Sequence, residues 1–155
     1  MSKPTKYYST KQEKYIAGVL GWNVVSGSGA RDCHPGDIES DDYSGECKTH
    51  TSEKPSICIK YNWWHKIRLE ASFRHKTPVL FVDNGNPKYT WVITYYTKPM
   101  FHDSEGFPFS IKTNVCFKVG SLDESKIYFI NEWESGFHVA VLMSLQKFAE
   151  LTQKR

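Results

Sequence analysis

Apolar positions recur along the chain with the period of helices in some stretches and of strands in others. Glu13, Ile16, Ala17 and Leu20 fall at i, i+3, i+4 and i+7, a single helical stripe. Ser9 followed by Gln12 has the form of a capping box, so a helix is expected from Ser9 to Leu20, stopping at Gly21, with residues 1–8 a loose basic arm. Glu13 is the one charged member of the stripe and reaches the core edge, where a carboxylate needs a partner. "WNVV" reads as a strand and "SGSGARDCHPG" as a loop. "DIES" and "YSGECKTH" read as a hairpin turning near Asp41 and Asp42, with Gly45 marking a bulge or a close backbone approach.

"ICIKYNWWHKIRLEASFRHK" begins extended and continues as a helix with Lys60, Trp64, Ile67 and Ala71 on one face. Trp63 and Trp64 are expected in the core. "PVLFV" is a short apolar run of the kind buried inside a sheet, and "YTWVITYY" is a further strand. Between Thr97 and Glu124, Gly and Pro interrupt the pattern and leave one strand, "NVCFKV"; "KIYFI" and "FHVAVLM" are strands, and Ser144 caps a last helix, "LQKFAELT". The fold class expected is α/β, a mixed central β-sheet flanked by α-helices.

A length of 155 residues fits one domain, 1–155, with its own core. Hydrophobic content of 39% with 24% charged residues excludes a disordered chain. No apolar run approaches the roughly 20 residues that span a bilayer, so no membrane partner is expected. The first 14 residues carry no apolar signal-peptide core. The expectation is a cytoplasmic protein whose four cysteines stay unpaired. A net charge of +3 permits a nucleic-acid partner without requiring one.

Candidate chemistry concentrates in "GDIESDDYSGECK". Side chains alternate along a strand, so Glu46 and Lys48 share a face while Cys47 points into the core. A turn at Asp41 and Asp42 makes Asp37 and Glu46 cross-strand neighbours. Two carboxylates that close repel unless a cation lies between them, and oxygen ligands suit Mg²⁺, with Mn²⁺ as a substitute. The Cys47 carbonyl would complete the protein ligands, and Lys48 would position the attacking water or stabilise a phosphorane-like transition state. This is not an EF-hand, because Lys48 stands where the loop needs its bidentate Glu. Cys33, His34, Cys47 and His50 match no standard zinc spacing.

"GD", followed nine residues later by "ECK", resembles the PD-(D/E)XK nuclease signature. With the upstream Glu13 helix, "GWNVVSGSG" and "IKYNWWHKIRLEASFRHKTPVLFV", residues 9–82 resemble the Holliday junction resolvase-like branch of archaea and phages. Gly36 rather than Pro precedes Asp37, and residues 97–135 lie outside the pattern as an extension. The resemblance implies a restriction-endonuclease-like core and a Mg²⁺-dependent endodeoxyribonuclease of DNA recombination or repair. It would act as a homodimer on branched DNA. It also implies that Glu13 assists the metal or its water shell, and that Ser28 or Ser26 touches a metal-bound water or the scissile phosphate. Lys60, which opposes the dipole of its own helix, is expected to face phosphate. Lys3, Lys6, Lys11 and Lys14 form one basic flank, and Arg68, Arg74, His75 and Lys76 another, suited to DNA phosphates. Phe101, Phe107, Phe109, Phe117 and Phe129 would supply apolar surface for a second copy.

Overall fold

Hydrophobic alternation in the central strands builds two core layers on a single sheet. The computed structural model describes residues 5–25 and 37–153. In chain order the helices are α1 (Thr5–Leu20), α2 (Tyr61–Phe73) and α3 (Leu145–Gln153). The strands are β1 (Asn23–Val24), β2 (Ile38–Glu39), β3 (Tyr43–Lys48), β4 (Ser56–Ile59), β5 (Thr77–Val82), β6 (Trp91–Tyr95), β7 (Ser104–Gly106), β8 (Val115–Lys118), β9 (Ile127–Ser135) and β10 (His138–Ser144). Eight strands form one mixed sheet in the order β1-β2-β3-β5-β6-β10-β9-β7, and β4 pairs with β8 in a separate ribbon. β3 and β5 are parallel, as are β7 and β9; the remaining pairs are antiparallel. The fold is α/β with a mixed central sheet flanked by helices.

Alternate residues of each central strand serve opposite layers. Val79 and Phe81 of β5, Val92 of β6, and Val141 and Met143 of β10 pack with Ile16 and Leu20 of α1 and Phe148 of α3. Leu80 and Val82, Ile93, and Ala140 and Leu142 pack on the other side with Trp64 and Ile67 of α2 and with the β4–β8 ribbon. The β3–β5 connection runs through α2, as a parallel pair requires. Of the two adjacent tryptophans, Trp64 is wholly buried, whereas Trp63 is only partly so.

Several expectations need correction. α1 begins at Thr5, four residues before the expected cap. The Ser9 hydroxyl donates to the Lys6 carbonyl within the helix, and the Gln12 side chain is buried rather than folded back on Ser9. The helix does end at Gly21, whose positive φ turns the Trp22 N–H back to the Ala17 carbonyl. Cys58 and Cys116 form a disulfide, against the expectation of unpaired thiols. Their separation of 58 residues gives no hint in sequence, but antiparallel pairing of β4 with β8 sets them directly opposite. Residues 97–135 supply β7 and β9 to the main sheet, β9 lying between β10 and β7, and β8 to the ribbon with β4. Phe117 is buried there, Phe107 and Phe129 are partly buried, and only Phe101 and Phe109 of the five phenylalanines remain exposed. No helix among the described residues is long and apolar enough to cross a membrane.

Gly45 fulfils the expectation of a close approach. A methyl group there would come to 2.8 Å from Phe81 Cε2 and 3.1 Å from Ile38 Cγ1. Gly45→Ala is therefore expected to destabilise the chain by roughly 1–3 kcal/mol through overpacking against β5. Urea unfolding checks this, and a variant as stable as the parent would contradict the tight β2–β3–β5 packing.

Candidate active site

The β2–β3 hairpin sets the site. Ile38 pairs with Gly45 and Glu39 with Ser44, closing a turn at Asp41 and Asp42. β2 then stops, and Asp37 continues the alignment with its side chain: its backbone N–H donates to the Gly45 carbonyl at 2.7 Å, and its Oδ2 accepts from the Cys47 N–H at 2.8 Å. The carboxylate is thereby pinned across from Glu46. On β3 the expected alternation holds. Cys47 is buried in the α1/α3 layer, and its thiol is pushed well above its usual range by burial and the surrounding carboxylates, so it stays a neutral core group. Glu46 and Lys48 point to the other face, with Lys48 Nζ 3.5 Å from Glu46 Oε1.

Glu13 reaches this group from α1. Burial, with the charges of Asp37 and Glu46, pushes its carboxyl up to about 7. Glu46 is likewise raised to about 7, by burial first and Asp37 second, with Lys48 and Lys66 pulling the other way. Three carboxylates from α1, the residue before β2, and β3 therefore share one electrostatic environment. No group of three or more His, Cys, Asp or Glu side chains among the described residues is gathered closely enough to hold a metal ion. The donor chemistry nevertheless fits a hard divalent cation, since the carboxylates are oxygen donors whose mutual repulsion such a cation would offset. Asp37 and Glu46 would hold it, with Glu13 next to them.

The other expected residues divide into two sets. Lys60 is the N-cap of α2, exposed, and 5.5 Å from the centre of the Trp63 ring. Lys11 and Lys14 lie exposed on α1, lining a shallow hollow with Lys6, Tyr7 and Thr10. Arg74 and Lys76 both pair with Glu39, at 2.7 and 3.1 Å, at the turn end of β3; by strand rise that is roughly 16 Å from Lys48. Although burial opposes it, hydrogen bonds from Lys76 and Arg74 hold the Glu39 carboxyl below its usual range. Arg68 is engaged with the Tyr61 hydroxyl and His65 Nδ1, and its guanidinium lies 6.0 Å from the centres of the Tyr61 and Trp64 rings. The structure thus does not bring Arg68, Arg74 and Lys76 to the carboxylates. Ser26 and Ser28 lie outside the described residues, as do Lys3, Cys33 and His34.

Two supporting residues escaped the sequence reading. Gln12 is wholly buried, and its Nε2 donates to the Lys48 carbonyl at 2.7 Å, tying α1 to the end of β3 beside Glu13. Asp83, just past β5, is also buried; its Oδ1 accepts from Thr49 Oγ1 at 2.5 Å and from the Gly85 N–H at 2.8 Å. Gln12 lies four residues before Ile16, on the buried stripe, and that position was its signal. Comparison with models of known families, with curated proteins and with solved structures finds no match.

Glu13 and Glu46 both bind their proton more tightly in the folded chain than in the unfolded one, where Glu titrates near 4.3. Their contribution to stability is therefore complete below that value and is lost as pH rises towards about 7. In EDTA the melting temperature should fall across this window. Glu46→Gln should flatten the fall and stabilise the chain at pH 7.5 by roughly 1–3 kcal/mol. A Glu46→Gln chain less stable than the parent at pH 7.5 would contradict the repulsive cluster.

Proposed function

We propose that this protein is a divalent-metal-dependent nuclease that hydrolyses phosphodiester bonds in DNA. The observation that carries the reading is the Asp37 carboxylate, held by the Cys47 N–H beside Glu46, with Lys48 Nζ 3.5 Å from Glu46 on the same face of β3. The ordered set of helix Glu, Asp and Glu-x-Lys that resembles the PD-(D/E)XK signature supports it further. Mg²⁺, or Mn²⁺ in its place, would supply polarisation of the phosphoryl oxygen and a water of lowered pKa.

The chain's own residues account for the rest. Asp37 and Glu46 present fixed negative oxygens, and the Asp37 hydrogen bond to Cys47 limits its rotation. Lys48 offers a cation that can leave Glu46 for the charge developing on the phosphate oxygens; the ion pair it gives up is partly exposed, so breaking it costs about 1 kcal/mol or less. Glu13, with a carboxyl near 7, is suited to exchange a proton with water at neutral pH. Gln12 keeps the Lys48 backbone in place from behind. Exposed Lys11, Lys14 and Lys60 supply the phosphate contacts.

The finer form of this reading is a homodimer on branched DNA acting in the cytoplasm, as the resemblance implies. Exposed Phe101, Phe109 and Phe137 are apolar side chains available to a second copy. In that compartment thiols are kept reduced, and Cys58 and Cys116 would then face each other as exposed thiols on strands still joined by their backbone pairing. A non-catalytic DNA-binding module is the second reading, favoured by the absence of a closed metal-binding group among the described residues.

Cleavage of junction, flap and linear duplex DNA in Mg²⁺ and in EDTA separates the two. The parent should cut only with the metal. Asp37→Asn and Glu46→Gln should abolish cutting without loss of folding. Lys48→Ala should lower turnover by roughly a hundredfold or more while changing DNA affinity far less. Activity like the parent's in Asp37→Asn or Glu46→Gln would remove the reading, and equal losses of affinity and turnover in Lys48→Ala would make Lys48 a phosphate anchor only.

A further inference from the structure

α2 carries a line of cationic and aromatic side chains that leads to the carboxylates. Lys60 at its N-cap is followed by Trp63 and Lys66 at three-residue intervals along the helix surface. Trp63 packs against the α2-side core and is nevertheless only partly buried. Two ammonium groups from different elements bracket its ring: Lys60 Nζ lies 5.5 Å and Lys48 Nζ 5.6 Å from its centre. Lys48 is the same residue that pairs with Glu46, and Lys66 acts on Glu46 electrostatically. A partly accessible indole therefore stands next to the candidate site with two lysine ammonium groups over it.

The chemistry narrows what this can hold. A free phosphate needs the lysines but not the indole, and an apolar peptide needs the indole but not the lysines. A nucleotide within a perfect duplex has the right charge but offers no base face, because both faces are stacked on neighbours. An unpaired nucleotide offers both a planar π-face and a flanking phosphate. The lysine stems are long and flexible, so the ammonium groups can leave the ring for phosphate oxygens and open its face to a base.

We propose that Trp63, bracketed by Lys48 and Lys60, is a stacking platform for an unpaired nucleobase whose adjoining phosphate is drawn to these two lysines beside Glu46. The proposal rests on the nuclease reading and narrows its substrate to nucleic acid with a single-stranded or splayed nucleotide at the cleavage position. Stacking on an aromatic side chain tolerates any base, so this selects the structure of the nucleic acid rather than its sequence.

The test uses the full chain in EDTA, with oligonucleotides carrying 2-aminopurine in a single strand, at a flap or junction, and within a perfect duplex. Emission should be quenched in the single strand and at the branch, and unchanged in the duplex. Trp63→Ala should lower single-strand affinity about tenfold and remove the quench, and Trp63→Phe should restore part of both. Lys60→Gln alters only an exposed side chain; it should weaken binding and reduce the slope of log affinity against log salt by about one. If a folded Trp63→Ala chain binds and quenches like the parent, or Lys60→Gln leaves affinity and salt slope unaltered, the platform is overturned, even where the parent still cuts DNA with Mg²⁺. Trp63-dependent quenching in a parent chain that cuts no substrate with any divalent metal retains the platform and removes the nuclease reading instead.

Discussion

The register of β3 against β5 is the constraint on which the candidate site depends. Glu46 lies opposite Leu80, Cys47 opposite Phe81 and Lys48 opposite Val82 in a parallel pair. A slip of one residue would turn Cys47 out and drive Glu46 and Lys48 into the layer between the sheet, α1 and α3. That layer is built from Ile16, Val79, Phe81, Val141 and Phe148, and an unpaired charge there carries a large desolvation cost. The apolar alternation of β5 therefore fixes the direction in which the charged pair points. Gly45 strengthens the constraint, since only a residue without a side chain lets Phe81 and Ile38 close on β3.

Upon this frame the site stores electrostatic tension. Asp37, Glu46 and Glu13 come from three separate segments; burial first, and then the Asp37 charge, raises the proton affinity of both glutamates, and Glu46 adds to the effect on Glu13. Two devices hold them there. The Cys47 N–H fixes Asp37 where the β2–β3 ladder ends, and Gln12 anchors α1, and with it Glu13, to the Lys48 carbonyl. Lys48 and Lys66 offset part of the repulsion. The stability lost at neutral pH is what a divalent cation would return on binding.

Much of this was legible in the sequence because it followed from period alone. The face shared by Glu46 and Lys48, the inward Cys47, the turn at Asp41 and Asp42, the cap at Ser144 and the buried run of β5 all derive from alternation or local turn chemistry. What escaped depends on contacts distant along the chain. The Cys58–Cys116 bridge exists because β4 meets β8. The pairing of Arg74 and Lys76 with Glu39 arises because parallel pairing brings their end of β5 to the hairpin turn, a contact between segments far apart in the chain. Within residues 97–135 the strands "NVCFKV" and "KIYFI" were legible, whereas β7 was not, because it is only three residues long and is defined by its pairing with β9. Trp63 and Trp64 are adjacent and chemically alike; the rotation of α2 against the sheet alone decides that one is core and the other borders the site.

The proposed divalent-cation site comprises Asp37 and Glu46, with Glu13 beside them. Isothermal titration of the metal-free chain with Mn²⁺ at pH 7, in two buffers of different ionisation enthalpy, tests it most directly. One ion should bind per chain with release of protons, because Glu13 and Glu46 are partly protonated near that pH, and Asp37→Asn should remove the binding. The absence of heat from binding at millimolar Mn²⁺, or binding unchanged in Asp37→Asn, would contradict the account.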